Sequence, residues 1–262
     1  MRDAEVMYDL PSYLIAFTLF VLILLTMQLG RKLGKRRHAR ETEDSKHQAN
    51  TVQGSLIGLL ALLLGFTFSL SLGRYDQRSV EVVIEANAIG TAWLRTDLLG
   101  DARRGAAKDL LRRYATLRLD AAEVSAADDA GRDKLIAEAD AVFTDLWQLA
   151  TDEARETANP VSMGFVSSLN DMIDAMSARN AAINRHVPEI VLFLLFGTFV
   201  VLGGVIGYSN GISIIRPGIP VYAMMILIVI LVFLIIDLDR PRRGLIAVDQ
   251  SALAATVATM QP

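Results

Sequence analysis

The chain has 262 residues, of which 52% are apolar and 21% charged, with a formal net charge of −3 and no cysteine. The absence of cysteine excludes disulfides, thiolate catalysis and Cys-ligated metal sites. The charges are segregated: four runs, Leu10–Leu29, Gly54–Leu72, Ile190–Tyr208 and Gly218–Ile236, contain no Asp, Glu, Lys, Arg or His. A helix rises about 1.5 Å per residue, so about 20 apolar residues cross a hydrocarbon core of about 30 Å. Each run meets that length and is apolar on every face, unlike the striped helices of a soluble protein. The chain therefore reads as an all-α integral membrane protein with four transmembrane helices.

The first division, residues 1–30, holds the N-terminus and the first span. Acidic residues (Asp3, Glu5, Asp9) precede the run and the basic cluster follows it, so it reads as a retained span rather than a cleaved signal peptide. Residues 31–53 form a basic loop. Arg31, Lys32, Lys35, Arg36, Arg37, Arg40 and Lys46 face Glu41, Glu43 and Asp44, a net of +4. The positive-inside rule favours a cytoplasmic loop and hence an outside N-terminus; Arg240, Arg242 and Arg243 would then also lie outside, against the rule, so the inverted arrangement stays open. A basic cluster beside a span serves topology and anionic lipid, so nucleic acid is not the expected partner.

The second span, residues 54–73, spaces small residues at every fourth place: Ala61, Gly65, Ser69 and Gly73, preceded by Gly54 and Gly58, lie along one helical face. Such a face lets another helix backbone approach closely. One reading is packing within the chain. The other is an oligomer whose second spans surround an axis, with Thr67, Ser69 and Ser71 offering hydroxyls and Phe66 or Phe68 an apolar collar that gates by dewetting. No Pro or Gly interrupts Arg74 to Ile89, so the span is expected to continue as one long helix beyond the bilayer.

Residues 74–188 form a helical extramembrane domain, outside by alternation. Its amphipathic segments are marked by Val80, Val83, Ile84, Leu94 and Leu98, by Leu110, Leu111, Tyr114 and Leu117, by Leu135 to Ala150, and by Phe165 to Met176. Asn159-Pro160 is a stop signal. From Gly73 to Pro188 there are 14 Lys and Arg against 19 Asp and Glu, a net of −5. Arg74, Asp76, Arg78, Glu81, Glu85 and Asn87 just beyond the second span suggest a polar mouth or an interhelical network. Residues 189–239 hold the third and fourth spans, where Gly203 and Gly207 repeat the small-residue spacing. Asp237, Asp239 and Arg240 close the fourth span and open a tail, residues 240–262.

No ionisable residue lies at membrane depth, which disfavours an ion-coupled transporter and leaves passive conduction or none. The three histidines are scattered without metal-ligand spacing, and no nucleophile sits beside a base, so neither an enzyme nor a cofactor is expected.

Several blocks together resemble one family. The run Gly58-Leu-Leu-Ala-Leu-Leu-Leu-Gly-Phe-Thr-Phe-Ser69, then Arg74-Tyr-Asp, then Glu85-Ala-Asn-Ala-Ile-Gly-Thr-Ala92 are similar to the bacterial bestrophin-like domain family. So are Leu169-Asn-Asp-Met-Ile-Asp174, Val187-Pro-Glu189 and Asp237-Leu-Asp-Arg-Pro-Arg-Arg-Gly-Leu-Ile246. The resemblance implies kinship to bestrophins, pentameric anion channels whose long second helices line the pore. Phe66, Phe68 and Ser69 become the pore candidates, and lipid, ions and further copies of the chain the partners. Two features differ from bestrophins: the charge count puts the helical domain outside the cell, and its net −5 repels anions. The expected function is a homo-oligomeric passive ion channel of the bacterial inner membrane. The alternative is a non-conducting scaffold or sensor that presents its helical domain to a protein partner.

Overall fold

The computed structural model describes residues 10–40, 42–125, 128–157, 159–214, 216–240 and 244–260. Among these the protein is helical and contains no strand. Helix α1 (Ser12–Arg37) starts behind Pro11, where a missing N–H costs no intrahelical bond. It continues past the apolar run, and its last turn carries Lys35, Arg36 and Arg37, cations that complement the helix C-terminal dipole. A short turn, His38–Arg40, leads to α2 (Glu43–Thr96). The segment expected as a basic loop is thus largely helical. It contains no Pro or Gly between Gly34 and Gly54 and is rich in Lys, Arg, Glu and Gln, which tolerate a helix well.

At 54 residues, α2 extends about 80 Å, far more than a bilayer core needs. The second span therefore does continue as one long helix. It is followed by α3 (Asp101–Glu123), α4 (Asp129–Glu156), α5 (Pro160–Asn184), α6 (Glu189–Ile212), α7 (Ile219–Asp239) and α8 (Ser251–Thr259). Four helical stretches, in α1, α2, α6 and α7, are long and apolar enough to cross a membrane. The expected stop at Asn159-Pro160 is the start of α5. Asn159 accepts from the backbone N–H of Ser162 and Ser162 answers in a capping box, with Pro160 in the first turn.

The chain divides into two compact units, Met1–Tyr75 with His186–Ile246, and Asp76–Arg185 with Ala247–Pro262. In the first unit α1 packs chiefly on α6 and also on α7. Ile15, Leu19, Ile23 and Met27 form one buried row of α1 at four-residue spacing, facing Leu195, Phe199, Leu202 and Ile206 of α6. Large apolar side chains on the outer faces stay exposed, Phe17 and Leu59 among them, as lipid-facing residues do. Thr26 donates across to the carbonyl of Val200 at 2.8 Å, a polar tie between two spans.

The second unit is a helical bundle with its own core. Val82, Ala86 and Ile89 of α2 meet Leu111 and Tyr114 of α3, Leu146 of α4 and Phe165, Leu169 and Met172 of α5. Each fully buried Leu or Met contributes about 1.5–3 kcal/mol. Leu253 of α8 and Met260 also lie in this core, so the C-terminal segment is part of the bundle. Arg112 holds it by donating to the Met260 carbonyl at 2.6 Å.

Candidate functional site

The small residues fall into two groups. On α6, a Cβ at Gly207 would collide with the backbone of Met27, and one at Gly203 would lie 2.7 Å from the Ile23 carbonyl oxygen. Gly30 and Gly34 of α1 answer them, each facing the backbone of α6. Here the four-residue spacing serves close packing within the chain, because only glycine lets the two backbones touch. On α2, a Cβ added at Gly58, Gly65 or Gly73 would meet nothing within 4 Å. Ala61 and Ser69 share their exposure. Among the described residues of the first unit, none covers that face of α2.

The pore candidates separate along the same line. Phe66 is 62% exposed, whereas Phe68 is half-buried against the α1–α6–α7 core. Ser69 is exposed, while Thr67 and Ser71 are buried on the opposite side of the helix. Thr67 satisfies itself by donating to the Leu63 carbonyl at 2.8 Å.

The polar residues after the span are likewise sorted by burial. In the second unit Arg78 is 1% exposed and donates to the carbonyls of Ala182 and Arg185, at 3.3 and 3.1 Å, at the C-terminal end of α5. A cation there neutralises the negative end of the helix dipole. Asp76 and Asn87 are exposed; Arg74 and Glu81 are half-buried.

Glu85 is the centre of a buried network. Its Oε1 accepts from Nε of Arg118 at 2.7 Å and its Oε2 accepts from Arg179. Arg179 also donates to the side-chain oxygen of Gln250 at 2.8 Å. Glu85, Arg118 and Arg179 are all within 6% of full burial by side chain. Burial pushes the Glu85 pKa up, but Arg118 and Arg179 outweigh it and hold the carboxyl below its ordinary value. Burial lowers the Arg118 pKa, and the facing Glu85 more than reverses this. Nearby, burial pushes the Tyr114 phenol well above the usual tyrosine range.

At the end of the fourth span the acids are buried acceptors. Asp239 accepts from the backbone N–H of Val187 at 2.8 Å, and Asp237 from that of Ile246 at 3.0 Å. Carboxylates at a helix C-terminus oppose its dipole, and these backbone donors compensate. His186 lies 3.1 Å from the Asp239 carbonyl oxygen. A Cβ at Gly244 would lie 2.7 Å from the Asp237 carbonyl oxygen and 3.0 Å from its carboxylate, so glycine stands there. Arg240 is buried with them.

Sequence reasoning missed Arg118, Arg179 and Gln250. The signal was present: Arg118 stands on the Leu111–Tyr114 stripe, Arg179 on the Met172–Ala175 stripe and Glu85 on the Val82–Ile89 stripe. Opposite charges interrupting apolar stripes need each other, because a buried charge is tolerated only when paired.

The Bestrophin-like domain profile matches residues 16–253 of the chain. No curated protein gives a significant match. Among solved structures the fold is similar to a point mutant of a bacterial bestrophin homologue from Klebsiella pneumoniae. The two share 14% identity with a TM-score of 0.61, over 94% of this chain and 95% of that one. With the family profile spanning both units, this chain belongs to the bestrophin-like family.

Proposed function

We propose that the protein is a passive ion channel of the bacterial inner membrane, assembled from several copies, with a pore lined by α2. The observation that carries this reading is the open face of α2: Gly58, Ala61, Gly65 and Ser69 are small or hydroxylated and exposed in the single chain. Packing within the chain would have sealed that face, as it seals Gly203 and Gly207. Phe66, exposed beside it, supplies the apolar collar. Self-association is supported by the second unit, where Val80, Val83, Ile84 and Leu94 of α2 are exposed. An apolar row of that size on a water-facing helix calls for a partner surface. The basic end of α1 supports a periplasmic N-terminus and a periplasmic helical bundle.

The test is ion flux from liposomes holding purified protein, comparing chloride and potassium. Ser69→Trp is expected to block flux and Phe66→Ala to raise it. A silent wild-type protein with its oligomer intact would refute conduction and leave the scaffold reading.

A further inference from the structure

Between α1, the start of α2 and α6, within the first unit, lies a crevice of about 650 Å³. That is within the range of small-molecule sites, about 300–1,000 Å³. Its walls are the apolar side chains of Leu29, Leu33, Val52 and Val205, with Ser45 and Gln48 as polar lining. Leu29, Leu33 and Val52 are each more than half exposed, so the chain itself leaves these walls uncovered.

The row of α1 that forms the crevice leads directly into cations. Lys32 stands three residues beyond Leu29, and Arg36 and Arg37 stand three and four beyond Leu33. Residues at those spacings are neighbours on a helix surface, about 5–6 Å apart. All three basic side chains are exposed. An apolar slot that ends, within one helical turn, in a pair of guanidiniums matches one kind of molecule: an acyl chain carrying a phosphate. Basic pockets between spans at the cytoplasmic side are suited to anionic headgroups, and Arg binds phosphate oxygens in a bidentate fork.

We propose that this crevice binds one anionic diacyl phospholipid per chain. One acyl chain lies on Leu29, Leu33, Val52 and Val205, and the headgroup phosphate is held by Arg36 and Arg37. The site is independent of whether α2 lines a pore. It makes the packing of α1, α2 and α6 sensitive to the lipid composition of the membrane.

The experiment uses the full-length protein, reconstituted in vesicles of equal phosphatidylcholine and phosphatidylglycerol, then extracted in mild detergent for native mass spectrometry. Wild type is expected to retain one phosphatidylglycerol per chain. Two cations near the headgroup give a preference over phosphatidylcholine of roughly thirtyfold. Arg36→Gln with Arg37→Gln is expected to abolish the preference. Ala49→Trp, which fills the crevice, is expected to cut retention by about tenfold or more with the arginines intact. Val52→Trp, at a position already exposed, is a second filler should Ala49→Trp fail to fold. Undiminished retention in both fillers would overturn the proposal, because the basic surface alone would then suffice. Equal retention of phosphatidylcholine would overturn the headgroup assignment. A lipid-free wild type whose oligomer dissociates in the fillers would overturn it too, with a second copy as the occupant.

Discussion

Replacing Glu85 by Gln keeps the side-chain shape and removes the charge that balances two buried guanidiniums. Arg118 donates to it at 2.7 Å, Arg179 donates to its other oxygen, and all three side chains are almost fully buried. Removing one partner of such a pair leaves uncompensated buried charge, which costs about 3–5 kcal/mol. For a protein of this size each kcal/mol lowers Tm by about 2–4 °C, so Glu85→Gln should lower it by roughly 6–20 °C. Circular dichroism of the full-length protein in detergent reads that shift at pH 7. The pH dependence fixes the cause. The folded-state pKa of Glu85 is depressed, so its contribution is fully present above the ordinary carboxylate value, about 4.3, and is lost as pH falls through the folded value. The gap between wild type and Glu85→Gln should therefore begin to narrow only as pH falls below the ordinary carboxylate value, and close once it passes the depressed folded value. Adding Arg179→Met to Glu85→Gln should recover part of the loss, since one of the two orphaned cations disappears. A Glu85→Gln protein within about 2 °C of wild type, or a gap independent of pH, would refute the reasoning.

Other substitutions test separate contacts. Gly207→Val should prevent α1 and α6 from docking, because its Cβ meets the Met27 backbone, whereas Gly204→Ala has ordinary clearance of 3.8 Å and should fold normally by gel filtration and circular dichroism. Ile214 sits at φ 52° and is 58% exposed, so it loses little packing on replacement. Relief of a left-handed cost of about 1–2 kcal/mol against a glycine entropy cost of about 0.5–1 makes Ile214→Gly neutral to stabilising in the same melt. Asn159→Ala removes the α5 cap and should cost about 1 kcal/mol, with faster amide exchange in the first turn of α5 as its local readout.

The spans were legible because lipid imposes a length and forbids charge, two conditions that four runs satisfy visibly. The long α2 was legible for the lack of any helix breaker between Arg74 and Ile89. The helical nature of residues 31–37 and 43–53 was obscured by reading charge as loop, although Lys, Arg, Glu and Gln are good helix formers. Helix α8 was missed because Ser251–Thr259 is short and made of small residues, with Leu253 its one large anchor. The apolar stripes mark Glu85, Arg118 and Arg179 as buried charges that need partners, but they lie 33 and 94 positions apart, so the stripes do not say which charge meets which. Small-residue spacing on α2 and α6 is alike in sequence. Only the surroundings distinguish a glycine pressed on Met27 from one facing open space.

That distinction bears on the hydroxyls of the second span. Thr67, Ser69 and Ser71 are two residues apart, and two residues turn a helix by about 200°, so neighbouring members point to opposite sides. Thr67 and Ser71 therefore share the buried side, and Ser69 shares the exposed one with Gly65 and Gly73, four residues away in each direction. A pore along the open face of α2 sees Ser69 and not Thr67. Thr67→Val is nearly isosteric and loses only a bond to its own helix, at Leu63, so it should leave both fold and ion flux unchanged. Ser69→Trp, on the exposed side, should block flux while leaving the Tm near wild type. If Thr67→Val altered flux as strongly as Ser69→Trp, conduction would not run along this face, however open it is.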